Sequence, residues 1–423
     1  MKQKNVFFKA GIWLSSLLLI PAMVGCGANS TPEATTPTPT PTLGQSLTPS
    51  VTKTPLPTPT PTPTYSPTPL VIQPAQVLDF ITSLSTAPVF RGVISGQNAG
   101  HGDEITDDAW FRGYRTMIEA LYQKTGEWPG MIGDDFEWSR SFTPAQLSDA
   151  NRVLIDYARA GGIVMITLTP LNPWLHDESD IPAHPGSDKG PESALSGLPP
   201  GASLDDLLDP AKPVHAAWMR KLDRIAGALQ ELREAGVVVL YRPMQEMNAS
   251  WYWWGIASHP SDPGPFVRVY RAMHDYYSNE KGLDNLLWVY SPVSTHGNDT
   301  RTSTVFRAVD WTYPGDDYVD IIAGTTYEDG MSIADYAVYV NMGKPLGIAE
   351  YGPIPDGPVG KNGTWDLSRI IQRIRNDYPR IGFFVFWNSF PWSRISLISN
   401  RNADILLADP FVINRDDLPW NTE

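Results

Sequence analysis

The sequence predicts a (β/α)₈ barrel over residues 71–423, and three observations support this fold. Short apolar runs alternate with amphipathic segments along this part of the chain. The apolar runs are almost uninterrupted, as expected for parallel strands that are buried on both faces. Several amphipathic segments end at Gly, a residue that commonly terminates helices.

The elements can be placed in order along the chain. The predicted strands cover residues 90–95, 131–134, 163–168, 237–242, 286–291, 319–325, 346–350 and 382–387. The helical segments between most of them cover residues 108–126, 144–161, 214–236, 265–282, 333–342 and 366–377. The longest connection, 169–213, is rich in Pro, Gly, Ser and Asp. A closed barrel is favoured over an open doubly wound sheet, because no phosphate-binding glycine turn follows the first strand.

The composition excludes several functional classes. The chain has 423 residues, a net charge of −14 and a single Cys. This acidic balance argues against nucleic-acid binding, and one Cys excludes an internal disulfide and a multi-Cys metal site. The His residues show no metal-ligand spacing, and the acidic turn at 316–320 is more typical of a solvated loop than of a Ca²⁺ site. We therefore expect neither a metal nor a cofactor.

The N-terminus has the pattern of an export signal. A lysine-bearing start precedes an apolar run at 11–20, and small residues stand before Cys26. Met-Val-Gly-Cys at 23–26 resembles a lipobox, which predicts a lipoprotein-type signal peptide over 1–25 and a lipid on Cys26. An ordinary cleaved signal peptide is the alternative. We expect an exported, monomeric protein at the cell surface, held to the membrane only through that lipid.

Residues 26–70 form the second predicted region, a linker. Between residues 31 and 69 there are 12 Pro and 14 Thr, largely as Thr-Pro repeats. Because Pro fixes φ and removes a backbone donor, this segment predicts a disordered, extended spacer of polyproline II type. The third region, 71–423, is the barrel, which contains every Trp except Trp13.

Two glutamates stand at strand ends, where a barrel of this kind carries its chemistry. Glu246 follows the fourth predicted strand, and Glu350 ends the seventh. Retaining glycoside hydrolysis requires two facing carboxyl groups, one that protonates the leaving oxygen and one that attacks the anomeric carbon. A single glutamate would be read as a solvated loop residue, whereas two at strand ends beside aromatic residues favour catalysis.

Aromatic residues accompany both glutamates. The run Trp-Tyr-Trp-Trp occupies 251–254, Tyr327 ends the sixth strand and Trp387 the eighth, with Trp392 shortly after. Sugar rings stack their C–H faces on such side chains, although Trp is also common in protein cores. We expect one or two residues of the run to be core and at least one to face a saccharide groove.

These residues carry a resemblance to glycoside hydrolase family 26. Arg-Pro-Met-Gln-Glu-Met-Asn at 242–248, with Trp-Tyr-Trp-Trp-Gly at 251–255, resembles the acid/base motif of the family. Leu-Gly-Ile-Ala-Glu-Tyr-Gly at 346–352 is similar to its nucleophile motif, and the tail at 406–419 to its C-terminal run. The similarity extends over about residues 88–420.

The resemblance implies a retaining hydrolase of β-linked polysaccharide, with mannan endo-1,4-β-mannosidase as the favoured activity. It implies that Glu246 is the proton donor and Glu350 the nucleophile. It also implies substrate-binding roles for residues around them, namely Trp251, Tyr327, Trp387, Gln245, Arg242, Asn248 and Trp254. For Arg242 a buried structural ion pair, and for Asn248 a loop cap, are open alternatives.

The sequence departs from the family motif at two positions that would contact sugar. Gln245 stands where the family has His, and it cannot titrate beside Glu246. Thr169 stands in Leu-Thr-Pro-Leu-Asn-Pro at 168–173, where the family often has Trp-His-Pro-x-Asn-Pro. A β-1,3-1,4-glucanase or a xylanase therefore remains an alternative substrate reading. A catalytically inactive surface protein that binds polysaccharide is the alternative outside the enzymes.

Overall fold

The computed structural model describes residues 72–101, 113–294, 305–330 and 332–421. Eight parallel strands close into a barrel, because the last strand pairs with both the seventh and the first. The strands are β1 Gly96–His101, β2 Met131–Asp135, β3 Ile163–Leu168, β4 Val239–Pro243, β5 Leu286–Tyr290, β6 Ile321–Tyr327, β7 Leu346–Gly352 and β8 Ile381–Phe386. The predicted (β/α)₈ fold is confirmed. The predicted signal peptide, the Thr/Pro linker and Cys26 lie outside the described residues.

Helices follow most of the strands and form the outer layer. The α-helices are α1 Pro74–Thr86, α2 Ala120–Thr125, α3 Pro144–Arg159, α4 Pro213–Glu234, α5 Gly264–Asp275, α6 Tyr336–Asn341, α7 Pro358–Asn362, α8 Ile370–Asp377 and α9 Ala403–Leu407. One-turn π segments, Arg115–Glu119 and Tyr276–Glu280, adjoin α2 and α5. Short 3₁₀ turns cover Glu178–Asp180, Leu204–Leu208, Asp316–Tyr318, Leu367–Arg369, Leu397–Ser399 and Arg415–Asp417. Within the described ranges, no helix has the length and apolar character needed to cross a membrane.

The predicted first strand is wrong in position, whereas the other seven agree with the structure to within two residues. The segment at 90–95 contributes only a two-residue strand, Val93–Ile94, which pairs with Val412–Ile413. The barrel strand β1 comes next and is rich in Gly and polar residues. It is nevertheless fully buried, because Gln97 donates to the carbonyls of Phe386 and Trp387. An apolar pattern therefore could not reveal it.

Helix α1 closes the N-terminal end of the barrel, and the strand–helix alternation did not predict it. Its first turn follows Gln73, whose side chain completes a capping box, and Pro74 occupies the first turn. Val77, Ile81 and Leu84 are buried against apolar side chains that fill the lower barrel interior. The rim that bears the predicted site lies at the opposite end.

A buried cluster of four charges anchors the long 169–213 connection to the barrel. Glu137, which follows β2, and Glu178, in the connection, both contact Lys221 and Arg224 on α4. The Arg224 guanidinium lies 2.7 Å from Glu137 and 2.8 Å from Glu178. Burial raises the pKa of Glu178, but the charges of Lys221 and Arg224 outweigh it and hold that pKa well below its usual range. The connection is therefore fixed beside the rim.

Replacing Lys221 with Met tests this anchor. The variant leaves two buried carboxylates with a single cation, so we expect the free energy of unfolding to fall by about 3–5 kcal/mol. Urea denaturation followed by tryptophan fluorescence measures the change. Arg220→Met on the same helix is the matched control, because Arg220 forms an exposed pair with Asp177 that contributes at most about 1 kcal/mol. Equal effects of the two variants would contradict the anchoring role.

Candidate active site

Both oxygens of Glu350 are held by side chains from two other strands, Tyr327 on β6 and Arg242 on β4. Oε1 accepts a hydrogen bond from the Tyr327 hydroxyl at 2.6 Å, and Oε2 lies 2.9 Å from Nη1 of Arg242. Glu350 itself lies on β7 and is 8% exposed. The carboxylate is therefore fixed in direction, while part of it still reaches the open rim.

Arg242, near the end of β4, is fully buried. Its Nε donates to Ser291 at 2.8 Å and its Nη2 to Thr325 at 2.7 Å, both through the hydroxyl oxygen. A longer contact of 3.5 Å joins Nη1 to Thr167. Of the two roles considered for Arg242, its burial and its ion pair with Glu350 favour the structural one, and the sugar contact stays a prediction. Its function is to orient Glu350.

Glu246 lies on a turn with unusual backbone geometry directly after β4. Met244 has a φ of 50° and Glu246 a φ of 58°, both left-handed values that cost non-glycine residues on the order of 1 kcal/mol each. The turn is held by main-chain hydrogen bonds from Met244 to Leu168 (2.9 Å) and from Glu246 to Ser291 (2.7 Å). Strain of this kind is typical of functional sites, and here it sets the position of Glu246.

The surroundings of Glu246 favour its protonated form. Burial, followed by the negative charge of Glu350, raises the pKa of Glu246 to about 8, against opposing effects of Arg242, Thr325 and Trp251. At neutral pH the site therefore pairs a protonated carboxyl with a carboxylate that is bound to a guanidinium. Two carboxyl groups in opposite states are what acid-assisted nucleophilic displacement requires.

Three residues of the aromatic run after Glu246 are buried in the core, Tyr252, Trp253 and Trp254, which is one more than expected. Trp251 is half-buried and packs edge-on against Phe306 at 5.6 Å. Trp253 and Trp254 are buried, and their indole N–H groups donate to the carbonyls of Pro170 and Gln245. The side chain of Trp254 is fully buried and supports the turn through this hydrogen bond, while its sugar contact stays a prediction. Trp387 is 5% exposed at the end of β8.

Asn248 caps the loop that follows the turn of Glu246. Its amide donates to the carbonyls of Val293 (3.0 Å) and Arg307 (3.1 Å), and its Oδ1 accepts from the Val293 amide at 2.8 Å. These three bonds join the turn that bears Glu246 to the segments around residues 293 and 307. They favour the loop-cap alternative, and the substrate contact of Asn248 stays a prediction.

Gln245 lies between the two left-handed residues and is 2% exposed. Its Nε2 donates to the Thr169 hydroxyl at 2.6 Å. The two departures from the family motif thus contact each other. Gln97 is occupied by hydrogen bonds within the barrel wall, and His101 packs 5.6 Å from Trp387.

Sequence reasoning missed the hydroxyl residues that hold Arg242, namely Thr167, Ser291 and Thr325. Each lies at or near the C-terminal end of a strand, and that position is the only signal that could have identified them. The acidic turn is occupied by protein contacts, since Asp316 accepts from Tyr313 and Asp320 from the Trp288 amide. No group of three or more metal-ligating side chains occurs in the part of the chain that the structure describes.

Comparison with known proteins identifies the family. The model of Glycosyl hydrolase family 26 matches residues 72–417. A mannan endo-1,4-β-mannosidase (A and B) of Caldalkalibacillus mannanilyticus is 31% identical over 339 residues, which are 78% of this chain and 58% of that protein. The mannan endo-1,4-β-mannosidase of Bacillus subtilis strain 168 is 31% identical over 317 residues, covering 72% of this chain and 78% of the relative.

Solved structures agree with the sequence relatives. A mannanase of Bacillus subtilis superposes with a TM-score of 0.64 at 26% identity, covering 83% of this chain and 96% of the other. The chain spans little more than half of the Caldalkalibacillus relative, so activity on a given polysaccharide is not transferred by similarity alone. The match of the family model over most of the chain shows that this protein belongs to glycosyl hydrolase family 26.

Proposed function

We propose that the protein is a retaining glycoside hydrolase that cleaves β-1,4-mannan within the chain. Glu246 is the acid/base and Glu350 the nucleophile. The observation that carries the proposal is the arrangement of the two glutamates at the strand ends: Glu350 is held by Arg242 at 2.9 Å and by Tyr327 at 2.6 Å, and burial together with the charge of Glu350 raises the pKa of Glu246 to about 8. The mannanase names of the relatives supply the substrate class.

In the first step Glu350 attacks the anomeric carbon and forms a glycosyl-enzyme bond. The bond to the leaving oxygen breaks, and its electron pair takes the proton of Glu246. Tyr327 and Arg242 keep the Glu350 carboxylate aimed at that carbon. As the carboxylate becomes an ester its negative charge disappears. The second of the two causes that raise the pKa of Glu246 is thereby removed, while burial, the larger one, remains.

In the second step the ionised Glu246 removes a proton from water, and the water oxygen attacks the anomeric carbon. The ester bond to Glu350 breaks and the carboxylate returns to its ion pair. Two inversions give net retention of configuration. Trp251 is half-buried, and Trp387 is buried with 5% of its surface exposed. These two side chains are the aromatic surfaces that we assign to contact with the sugar units.

A panel of polysaccharides tests the substrate. We expect reducing ends to be released from mannan, with much slower release from lichenan and xylan. Release from lichenan or xylan alone would replace the mannan assignment with a glucanase or xylanase. The glucanase alternative has one supporting observation, a relative named Endoglucanase H that is 26% identical over 168 residues. Binding of polysaccharide without hydrolysis would instead identify a binding protein.

The stereochemistry is followed separately by proton NMR of the first products. The β-anomer is expected to appear before mutarotation, as double displacement requires. An initial α-anomer would contradict a covalent role for Glu350, whichever polysaccharide is cleaved.

We also propose how the enzyme is presented to its substrate. Residues 1–25 act as the export signal, Cys26 carries the lipid, and residues 26–70 are the spacer that separates the catalytic region, 71–423, from the membrane. The protein acts as a monomer at the cell surface. The lipobox-like run before Cys26 and the Thr-Pro repeats support this arrangement. Labelling with a radioactive fatty acid in the wild type, and its loss in Cys26→Ser, tests the anchor.

A further inference from the structure

A chain of three buried side chains runs to the turn that bears Glu246. Asp135 ends β2, Thr169 follows β3, and Gln245 lies in the turn after β4. The Thr169 hydroxyl donates to Oδ2 of Asp135 at 2.5 Å, and Nε2 of Gln245 donates to the same hydroxyl at 2.6 Å. Asp135 and Thr169 are fully buried and Gln245 is 2% exposed, so water does not compete for these bonds.

The direction of these hydrogen bonds follows from Asp135. Its Oδ1 accepts from the backbone N–H groups of Glu137 (3.1 Å), Trp138 (3.2 Å) and Thr169 (3.1 Å). Burial raises the pKa of the Asp135 carboxyl, whereas the hydrogen bonds from Thr169, Glu137 and Trp138 oppose that rise. With donors on both of its oxygens, this carboxyl is placed to accept, as an ionised group does. The single Thr169 hydroxyl hydrogen is therefore used on Asp135. The Thr169 oxygen can then only accept, which turns the N–H₂ side of the Gln245 amide towards it.

Gln245 is held through its main chain as well. Its carbonyl oxygen accepts from the Trp254 indole at 2.9 Å. The residues on either side, Met244 and Glu246, both have left-handed φ values. Such a conformation persists only where the surroundings impose it. The Gln245 side chain anchors the middle of this turn to Thr169, directly after β3. Release of its amide would therefore relax the turn and displace Glu246.

We propose that Asp135 and Thr169 are positioning residues for the acid/base, acting through Gln245. The inference rests on the proposed role of Glu246 and adds three residues that do not touch the reacting atoms. It also gives a physical reason why the two departures from the family motif occur together: the hydroxyl of Thr169 and the amide of Gln245 form one hydrogen-bonded pair. Neither side chain is expected to fulfil its role when the other is removed.

The test is a double-mutant cycle. Thr169→Val keeps the shape of the side chain and removes the hydroxyl, Gln245→Met removes the amide, and the third variant combines both changes. Because the pair acts as one unit, we expect each single variant to lower kcat on mannan about tenfold with KM within about twofold, and the double variant to be no slower than the worse single variant. Thr169→Ser keeps the hydroxyl and should retain at least about half of the wild-type kcat.

A second readout does not depend on turnover. The Glu246 carboxyl, assigned in a carbon-13 NMR titration by its loss in Glu246→Gln, should titrate about one pH unit or more lower in Thr169→Val, since a displaced carboxyl is less buried. Thr169→Ser should leave it in place. Circular dichroism confirms that each variant is folded.

The outcomes separate the two proposals. A wild-type protein that hydrolyses no β-glycan would overturn the proposed function. The NMR titration would still decide whether Asp135, Thr169 and Gln245 position Glu246. If the wild type is active, and Thr169→Val has the same kcat and the same Glu246 titration, the positioning role of the three residues alone is overturned. Independent, multiplying effects of Thr169→Val and Gln245→Met would show that the two residues act separately, which also overturns it.

Discussion

Replacing Glu350 with Gln should lower kcat/KM on mannan by at least about 10⁴-fold, because the amide cannot form the glycosyl-enzyme ester. Binding should survive, since the aromatic rim and Glu246 are untouched. Release of reducing ends measures turnover, and isothermal titration with a mannan oligosaccharide measures affinity. The variant is thus expected to separate binding from hydrolysis.

The matched control neutralises a third glutamate at the same rim, which has no proposed part in the reaction. Glu328 directly follows β6 and is half-buried, with its Oε1 accepting from the Gly330 amide at 3.2 Å. Glu328→Gln removes one negative charge close to Tyr327 without altering the pair between Glu350 and Arg242. We expect its kcat/KM to stay within about threefold of the wild type. Hydrolysis by Glu350→Gln at a rate similar to that of the control would exclude Glu350 as the nucleophile.

The same substitution has a structural cost that must be measured beside the activity. Arg242 is fully buried and loses its only described ion-pair partner in Glu350→Gln. Breaking a buried pair from one side costs about 3–5 kcal/mol, and the Gln oxygen together with Ser291 and Thr325 should offset part of that. Urea denaturation should therefore show a weakened but folded protein. An unfolded variant would leave activity uninformative, and Glu350→Asp, which retains the charge, then serves in its place.

The strands could be predicted from the sequence wherever their buried side chains are apolar. Seven of the eight strands were located because parallel strands that are covered on both faces are apolar throughout. β1 was misplaced because its buried side chains include polar ones, such as Gln97, which donates to carbonyls at the end of β8. α1 was missed because it lies outside the alternation, and only the tertiary structure shows the barrel end that it covers.

The charged residues of the site could be predicted from the sequence, but the side chains that hold them in place could not. Glu246 and Glu350 stand out because a strand end is an identifiable place, and Tyr327 could be matched to the family motif. The hydroxyl groups around Arg242 come from three other strands, and such contacts depend on register and side-chain direction, which sequence does not give. Trp254 and Asn248 were assigned to the groove because both belong to the family motif around Glu246. Their neighbours in space, and not their place in the chain, determine that they are buried.

Glu246→Gln should remove the alkaline limb of the pH–rate profile. Glu246 acts first as an acid, so kcat/KM of the wild type is expected to fall as pH rises through about 8, where the raised pKa of this carboxyl lies. Gln carries no proton to donate, and the rate on mannan should drop by about 10²–10⁴-fold at pH 6. An aryl mannoside with a good leaving group needs no such proton and should retain its first step. An unchanged alkaline limb in the variant would assign that limb to another group.

Glu246→Gln should lower activity but raise the free energy of unfolding at neutral and alkaline pH. The pKa of Glu246 is raised in the folded state, mainly by burial and next by Glu350, so the folded protein retains a proton that the unfolded chain has lost by pH 7. The contribution of Glu246 to the free energy of unfolding is therefore fully present below the unfolded pKa of about 4.5. It is lost as pH rises towards 8. Gln is neutral in both states and removes the loss, which gives an expected gain on the order of 3 kcal/mol at pH 7 and above. A catalytic variant that is more stable at pH 8, but not at pH 4, would show that the enzyme retains this buried acid at a cost in stability.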